Sequence, residues 1–182
     1  MIKANIKGKE YDIPTSWWDV PYNKALEVIK LDNSVDILCV LIGITPEEVD
    51  SLQSNSVNQL LNCLSFVNDI EEVTNNKEPE ERFKKFDYGT APFGDTEAVR
   101  NIMKSNSEKS FLFVADKVIL KLTGIDISND PFAQVIGSVD FFLTQWVSFM
   151  ISTQNSVKES QVKTNKLLES DGSNNSGVLE LM

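Results

Sequence analysis

"PFAQVIGSVDFFLTQWVSFM", residues 131–150, decides the fold. Asp130-Pro131 opens the stretch, and proline is preorganised for the first position of a helix. Phe132, Val135, Ile136, Val139, Leu143, Trp146, Val147 and Met150 then recur at helical spacing, making one stripe of about five turns. Phe141, Phe142 and Phe149 fall outside that stripe, so the helix is apolar around much of its girth. Such a helix is central or meets a partner on a second face. Pro131 and Trp146 therefore read as structural, and the three phenylalanines as candidate partner contacts. Asp140, at the stripe's edge, is expected to pair with a Lys or Arg.

Upstream, Phe111, Val114, Ala115, Val118, Ile119 and Leu122 form another helical stripe, stopped by Gly124. Before it, Thr96 is the expected cap of a helix carrying Val99, Ile102 and Met103. The segment "FDYGTAPFGD", 86–95, is rich in turn formers. Its "GTAPFG" lacks the Gly-Lys-Ser/Thr ending of a phosphate loop. "DIEEVTNNKEPEE", 69–81, sets six acids against one Lys. Without calcium-loop spacing it reads as a solvated acidic linker rather than a cation site.

The first half begins with a hairpin. Ile2, Ala4 and Ile6 alternate with polar residues, and Lys7-Gly8 makes a two-residue turn in which Gly8 supplies the positive φ. That turn sets Ile6 against Lys9, Ala4 against Tyr11 and Ile2 against Ile13, which places the apolar side chains on one face. Pro14 ends the second strand. Tyr22, Ala25, Leu26 and Ile29 mark a short helix. Val35, Leu38, Cys39 and Ile42 mark the next, with Ser34 as cap and Gly43 as stop. Thr45, Pro46 and Glu48 form a capping box on a short helix. Val57, Leu60, Leu61 and Leu64 carry one more. "ILCVLIGIT", 37–45, is echoed by "VILKLTGID", 118–126, which points to two related halves.

These elements predict a mainly α fold: a helical bundle of about six or seven helices with a small N-terminal β-hairpin. The organisation reads as residues 1–68 for hairpin and helices, 69–82 for the acidic linker, 83–154 for a C-terminal helical half, and 155–182 for a polar tail. The tail is Ser/Asn/Gly-rich and expected to be disordered alone. Its apolar end, Val178, Leu179, Leu181 and Met182, is either a docking peptide or a frayed terminus.

Composition narrows the chemistry. The chain of 182 residues contains no histidine and carries a net charge of −10. Histidine-dependent triads and zinc hydrolysis are thereby excluded, and no catalytic residue, metal site or cofactor is expected. The negative charge argues against nucleic acid and anionic membrane surfaces and favours a basic protein partner. Cys39 and Cys63 stand in apolar helical patterns and read as small core residues. The polar N-terminus lacks a signal-peptide pattern, and no apolar run approaches the ~18 residues of a membrane span. A soluble protein that stays where it is made is expected.

"SWWDV", 16–20, lies between the hairpin and the first helix and places two tryptophans side by side. Gly8, Pro14, Ser16, Trp18, Gly43, Glu47 and Phe66 occupy a recurrent order: a hairpin around a Gly-Lys turn, a Pro-Ser/Thr-x-Trp-x-Asp/Glu step, a helix ending in Gly-Ile, and a helix closing in "SFV". That order resembles the tail assembly chaperone-like proteins of tailed bacteriophages, including those of gut Bacteroidales phages. In the second half, "PFGDTEAVRNIM" is similar to the family's helix start and "FAQVIGSVDFFLTQW" to its closing helix. The likeness extends to about residue 154, and its motifs are structural.

The resemblance implies a phage morphogenesis protein that binds tail, connector or ring subunits, with self-association a further option. It places the protein in the host bacterial cytoplasm during assembly, or in the virion. A permanent ring, collar or head–tail junction component is the alternative role. The family pattern sets its single aromatic at Trp18, so Trp18 is expected in the core. Trp17 is then the spare indole available to a partner.

Overall fold

The computed structural model describes residues 1–75 and 78–172. The chain divides into two compact units, Met1–Leu143 and Thr144–Met182. The first holds the strands β1 (Ile2–Ile6) and β2 (Lys9–Ile13) and the helices α1 (Tyr22–Val28), α2 (Ser34–Ile42), α3 (Pro46–Asp50), α4 (Ser54–Cys63), α5 (Ile70–Thr74), α6 (Phe93–Ser105) and α7 (Ala115–Thr123). The last helix, α8, runs Phe132–Gly172. The protein is mainly α with a small antiparallel N-terminal hairpin.

The hairpin has the register set by its turn: Ile2 pairs with Ile13, Ala4 with Tyr11 and Ile6 with Lys9. Lys7 and Gly8 both take positive φ, 51° and 86°, as a two-residue turn of matching twist requires. Two strands alone are marginal in water. Here Tyr11 and Ile13 are buried, and the Tyr11 hydroxyl donates to Glu48 of α3 at 3.0 Å. Glu48 also accepts from the Thr45 N–H at 2.9 Å, and Thr45 Oγ1 from the Glu48 N–H at 3.2 Å, which closes the capping box. α2 is capped one residue earlier than expected, by Asn33, whose side chain accepts from the Val35 N–H. Gly43 and Gly124 end α2 and α7 in the same left-handed conformation, φ 78° and 73°. The echoed sequence is thus an echoed turn.

The starts of α1 and α8 cap each other. Pro21 and Pro131 form an isolated antiparallel bridge. The Tyr22 and Asn23 N–H groups donate to the Asp130 and Ser128 carbonyls at 2.9 and 3.0 Å. In return Phe132 and Ala133 donate to Val20 and Trp17 at 2.7 and 3.2 Å. Helix N-termini leave backbone donors without intrahelical partners. Side-chain caps normally take them, and here the neighbouring loop does. The prolines need no partner, since they lack an N–H.

Several expectations are corrected. The segment read as an acidic linker, 69–82, is partly helical as α5, and its residues 78–80 cross α8. A side chain at Gly137 would sit 2.0 Å from the Glu78 carbonyl oxygen, so only glycine admits that crossing. Next to it the Glu80 N–H donates to Ser138 Oγ at 3.0 Å. Glu80 also pairs with Arg82 at 2.8 Å and accepts from Gln134 at 2.8 Å, and Arg82 reaches Asp130 as well. α6 starts after Pro92 rather than at Thr96, which is buried inside its first turn and donates to the Phe93 carbonyl. Asp140 makes no ion pair among the described residues.

The second unit contains the later part of α8, which continues to Gly172, where a polar tail was expected from residue 155. Within it the Thr153, Ser156, Ser160 and Thr164 hydroxyls donate to carbonyls four residues back, at 2.9–3.0 Å. Hydroxyls used this way stop competing with the helix for backbone groups. The stretch Phe132–Lys166 is long and apolar enough to cross a membrane by length and composition alone. Core helices of folded proteins meet the same test. Phe132, Val135, Ile136, Val139 and Phe142 account for that apolarity in the first unit, where all five are buried.

Candidate functional site

The corner at "SWWDV" is held by one carboxylate. Asp19 accepts from the Thr15 N–H at 2.9 Å, from Thr15 Oγ1 at 3.1 Å and from the Met1 ammonium at 2.9 Å. Partial burial works to raise the Asp19 pKa, but these donors outweigh it and hold the carboxylate below its ordinary value. The Asp19 N–H donates to the Ser16 carbonyl at 3.0 Å and tightens the turn. A turn has no repeating face, so its two tryptophans separate.

Trp17 points inward and is 2% exposed, whereas Trp18 is 58% exposed. The expected roles are therefore reversed. The Trp17 ring meets Phe66 edge-on at 5.4 Å and Phe132 at 5.2 Å. Such pairs add to area burial. Its Nε1 is buried without a hydrogen-bond partner among the described residues. The reversal has a physical cause: the Trp17 carbonyl receives the Ala133 N–H, which fixes that residue against the start of α8.

Beside the corner lies a cavity of about 300 Å³, lined by Ser16, Trp17, Trp18, Phe66, Asp69, Val73 and Ala133. Phe66 and Asp69 come from a 3₁₀ turn, Ser65–Asp69, and Val73 from α5. Asp69 is exposed, and among the described residues no lysine or arginine lines the cavity. The walls are mainly apolar and carry one carboxylate and one hydroxyl. Such a slot can hold a side chain, and it offers no nucleophile with a base.

The other candidates are scattered. Phe142 is fully buried, 5.4 Å from Phe83 and 4.9 Å from Phe86, so it is a core residue and not a partner contact. Phe141 is half-buried against Phe142 at 5.6 Å. In the second unit Phe149 is half-buried and Trp146 buried, their rings 6.1 Å apart. Val178, Leu179, Leu181 and Met182 lie outside the described residues.

Cys39 and Cys63 are free and half-buried. Burial, reinforced by Asp36, Glu47, Asp50 and Glu48, pushes the Cys39 thiol up, opposite to what a nucleophile needs. Among the described residues no group of three or more Cys, Asp or Glu is placed to hold a metal ion.

Sequence reasoning missed Asp69 and Val73, which fell in the supposed linker. Ile70 and Val73, three apart, were the available signal for α5. Compared with known protein families, with curated proteins and with solved structures, the chain finds no match.

Proposed function

We propose that this chain is a non-catalytic bacteriophage morphogenesis protein, similar to tail assembly chaperones, that binds a phage structural subunit through the tryptophan corner. The observation that carries the reading is the exposed Trp18 beside the apolar slot. A bare indole next to a pocket is the usual chemistry of an interface anchor. The resemblance to the chaperone-like proteins, which extends to about residue 154, supplies the biological setting. Co-expression with tail, connector and ring subunits tests it. At least one subunit is retained or solubilised by the intact chain, and failure with all of them removes the reading.

A permanent place in the virion is the second reading. It is favoured by the later part of α8, which exposes Val147, Ile151, Val157 and Val162. Mass spectrometry of purified particles separates the two. Stoichiometric copies support a virion component, and absence supports a departing chaperone.

A further inference from the structure

We infer that the slot at the tryptophan corner takes an arginine side chain from its protein partner. The inference rests on the proposed partner-binding role of the same site and gives its chemistry. Phe66, Val73 and Ala133 supply apolar wall for the three methylenes of arginine, and Trp18 supplies an open ring face. Guanidinium groups stack on indoles and are weakly hydrated, which suits a half-enclosed site better than a lysine ammonium. Asp69 stands among the same walls, exposed and with no ion pair among the described residues. It accepts the guanidinium donors in the fork geometry that favours arginine.

A purely apolar occupant fits less well. It would strip water from the Asp69 carboxylate and leave nothing in exchange. Charge points the same way: among the described residues no basic side chain lines the slot, and the chain carries −10 overall. A basic segment is drawn toward such a surface before it docks. The volume of about 300 Å³ has room for an arginine side chain.

The test uses the full chain and three small probes: N-acetyl-arginine amide, N-acetyl-citrulline amide and N-acetyl-leucine amide. Binding is followed by the Trp18 indole N–H resonance. The arginine probe gives a saturable shift, with affinity of about millimolar order expected for so small a ligand. Citrulline keeps the shape without the charge and binds about fivefold more weakly. Asp69→Asn removes most of that difference, and Trp18→Leu loses the stacking and weakens the arginine probe, read then by backbone amide shifts of Asp69 and Val73. Equal or tighter binding of the leucine probe overturns the inference in favour of an apolar anchor. The absence of any saturable shift overturns it outright. Should a captured phage subunit bind unchanged after Trp18→Ala and Asp69→Asn, the arginine slot and the tryptophan corner both fail as the contact, while a morphogenesis role through another surface stands.

Discussion

Between Phe132 and Leu143, α8 buries Phe132, Ala133, Val135, Ile136, Val139 and Phe142, and at Gly137 and Ser138 it meets the backbone of residues 78–80. Between Thr144 and Lys166 the same helix buries only Trp146, and from Gln154 onward every described side chain is exposed. The difference lies in what each position must fit. In the first, volume is fixed to within a methyl group. In the second, side chains chiefly satisfy the helix's own carbonyls and solvent, so substitution should be tolerated there.

The largest expected effect breaks that contrast at its sharpest point. Gly137→Ala puts a carbon 2.0 Å from a backbone oxygen. Neither helix nor crossing segment can rotate a torsion to escape, so a loss of about 3 kcal/mol or more is expected. Ser160→Ala, in the later stretch, should stay within about 0.5 kcal/mol. Urea unfolding followed by circular dichroism measures both. A Gly137→Ala midpoint equal to wild type would mean that residues 78–80 do not press on α8.

The tryptophan pair offers the same comparison across one peptide bond. Trp17→Ala removes a buried indole that holds Phe66 and Phe132, and should cost about 3–5 kcal/mol. Trp18→Ala removes an exposed one and should cost under about 0.5 kcal/mol. Thermal melts of the two variants decide it. If the Trp18 variant melts earlier, the corner is turned the other way.

That pair also marks where the sequence stops being legible. The hairpin register was readable because a two-residue turn and a period of two agree. The stops at Gly43 and Gly124 and the box at Thr45 and Glu48 were readable because each is a local contact within a few residues. The choice between Trp17 and Trp18 was not, because a turn has no periodicity and the deciding hydrogen bond comes from Ala133, more than a hundred positions away. The crossing at Gly137 was hidden for the same reason: a glycine inside an apolar helix looks like a weak point until its neighbour is known. The later part of α8 was hidden by composition, since Ser, Thr and Asn disfavour helix interiors, and hydroxyls that bond back to the helix leave no mark in the sequence. The slot inherits these blind spots, because five of its lining residues, Ser16, Trp17, Trp18, Asp69 and Val73, come from the turn and from the segment mistaken for a linker.

A smaller effect tests the join between α1 and the loop before α7. The Tyr22 hydroxyl donates to the Leu112 carbonyl, and burial, with Asp116 second, raises its pKa far above the ordinary range. Tyr22→Phe removes the donor to a half-buried carbonyl while keeping the ring against Phe132, so about 1 kcal/mol should be lost. Amide exchange at Phe113 and Val114 should quicken in that variant before the rest of the unit opens. Uniform quickening would place the cost in global stability instead.

The smallest effect concerns acid. Asp19 holds the tryptophan corner and Glu48 the capping box. Both carboxylates lie below their ordinary pKa, Glu48 because the Thr45 N–H and then the Tyr11 hydroxyl donate to it. A group depressed in the folded state binds a proton more readily when unfolded, so its contribution is present above the unfolded pKa and drains away as pH falls through the folded one. Stability should therefore hold at neutral pH and decline below about pH 4. Asp19→Asn should flatten that decline more than Glu48→Gln, because Asp19 accepts from the charged Met1 ammonium as well as from Thr15, whereas the hydrogen-bond donors of Glu48 are neutral. Unfolding midpoints taken at intervals from neutral to acid pH give the two slopes. If neither slope changes, the acid loss belongs to other carboxylates, and the corner holds Trp17 inward by packing and the Ala133 hydrogen bond alone.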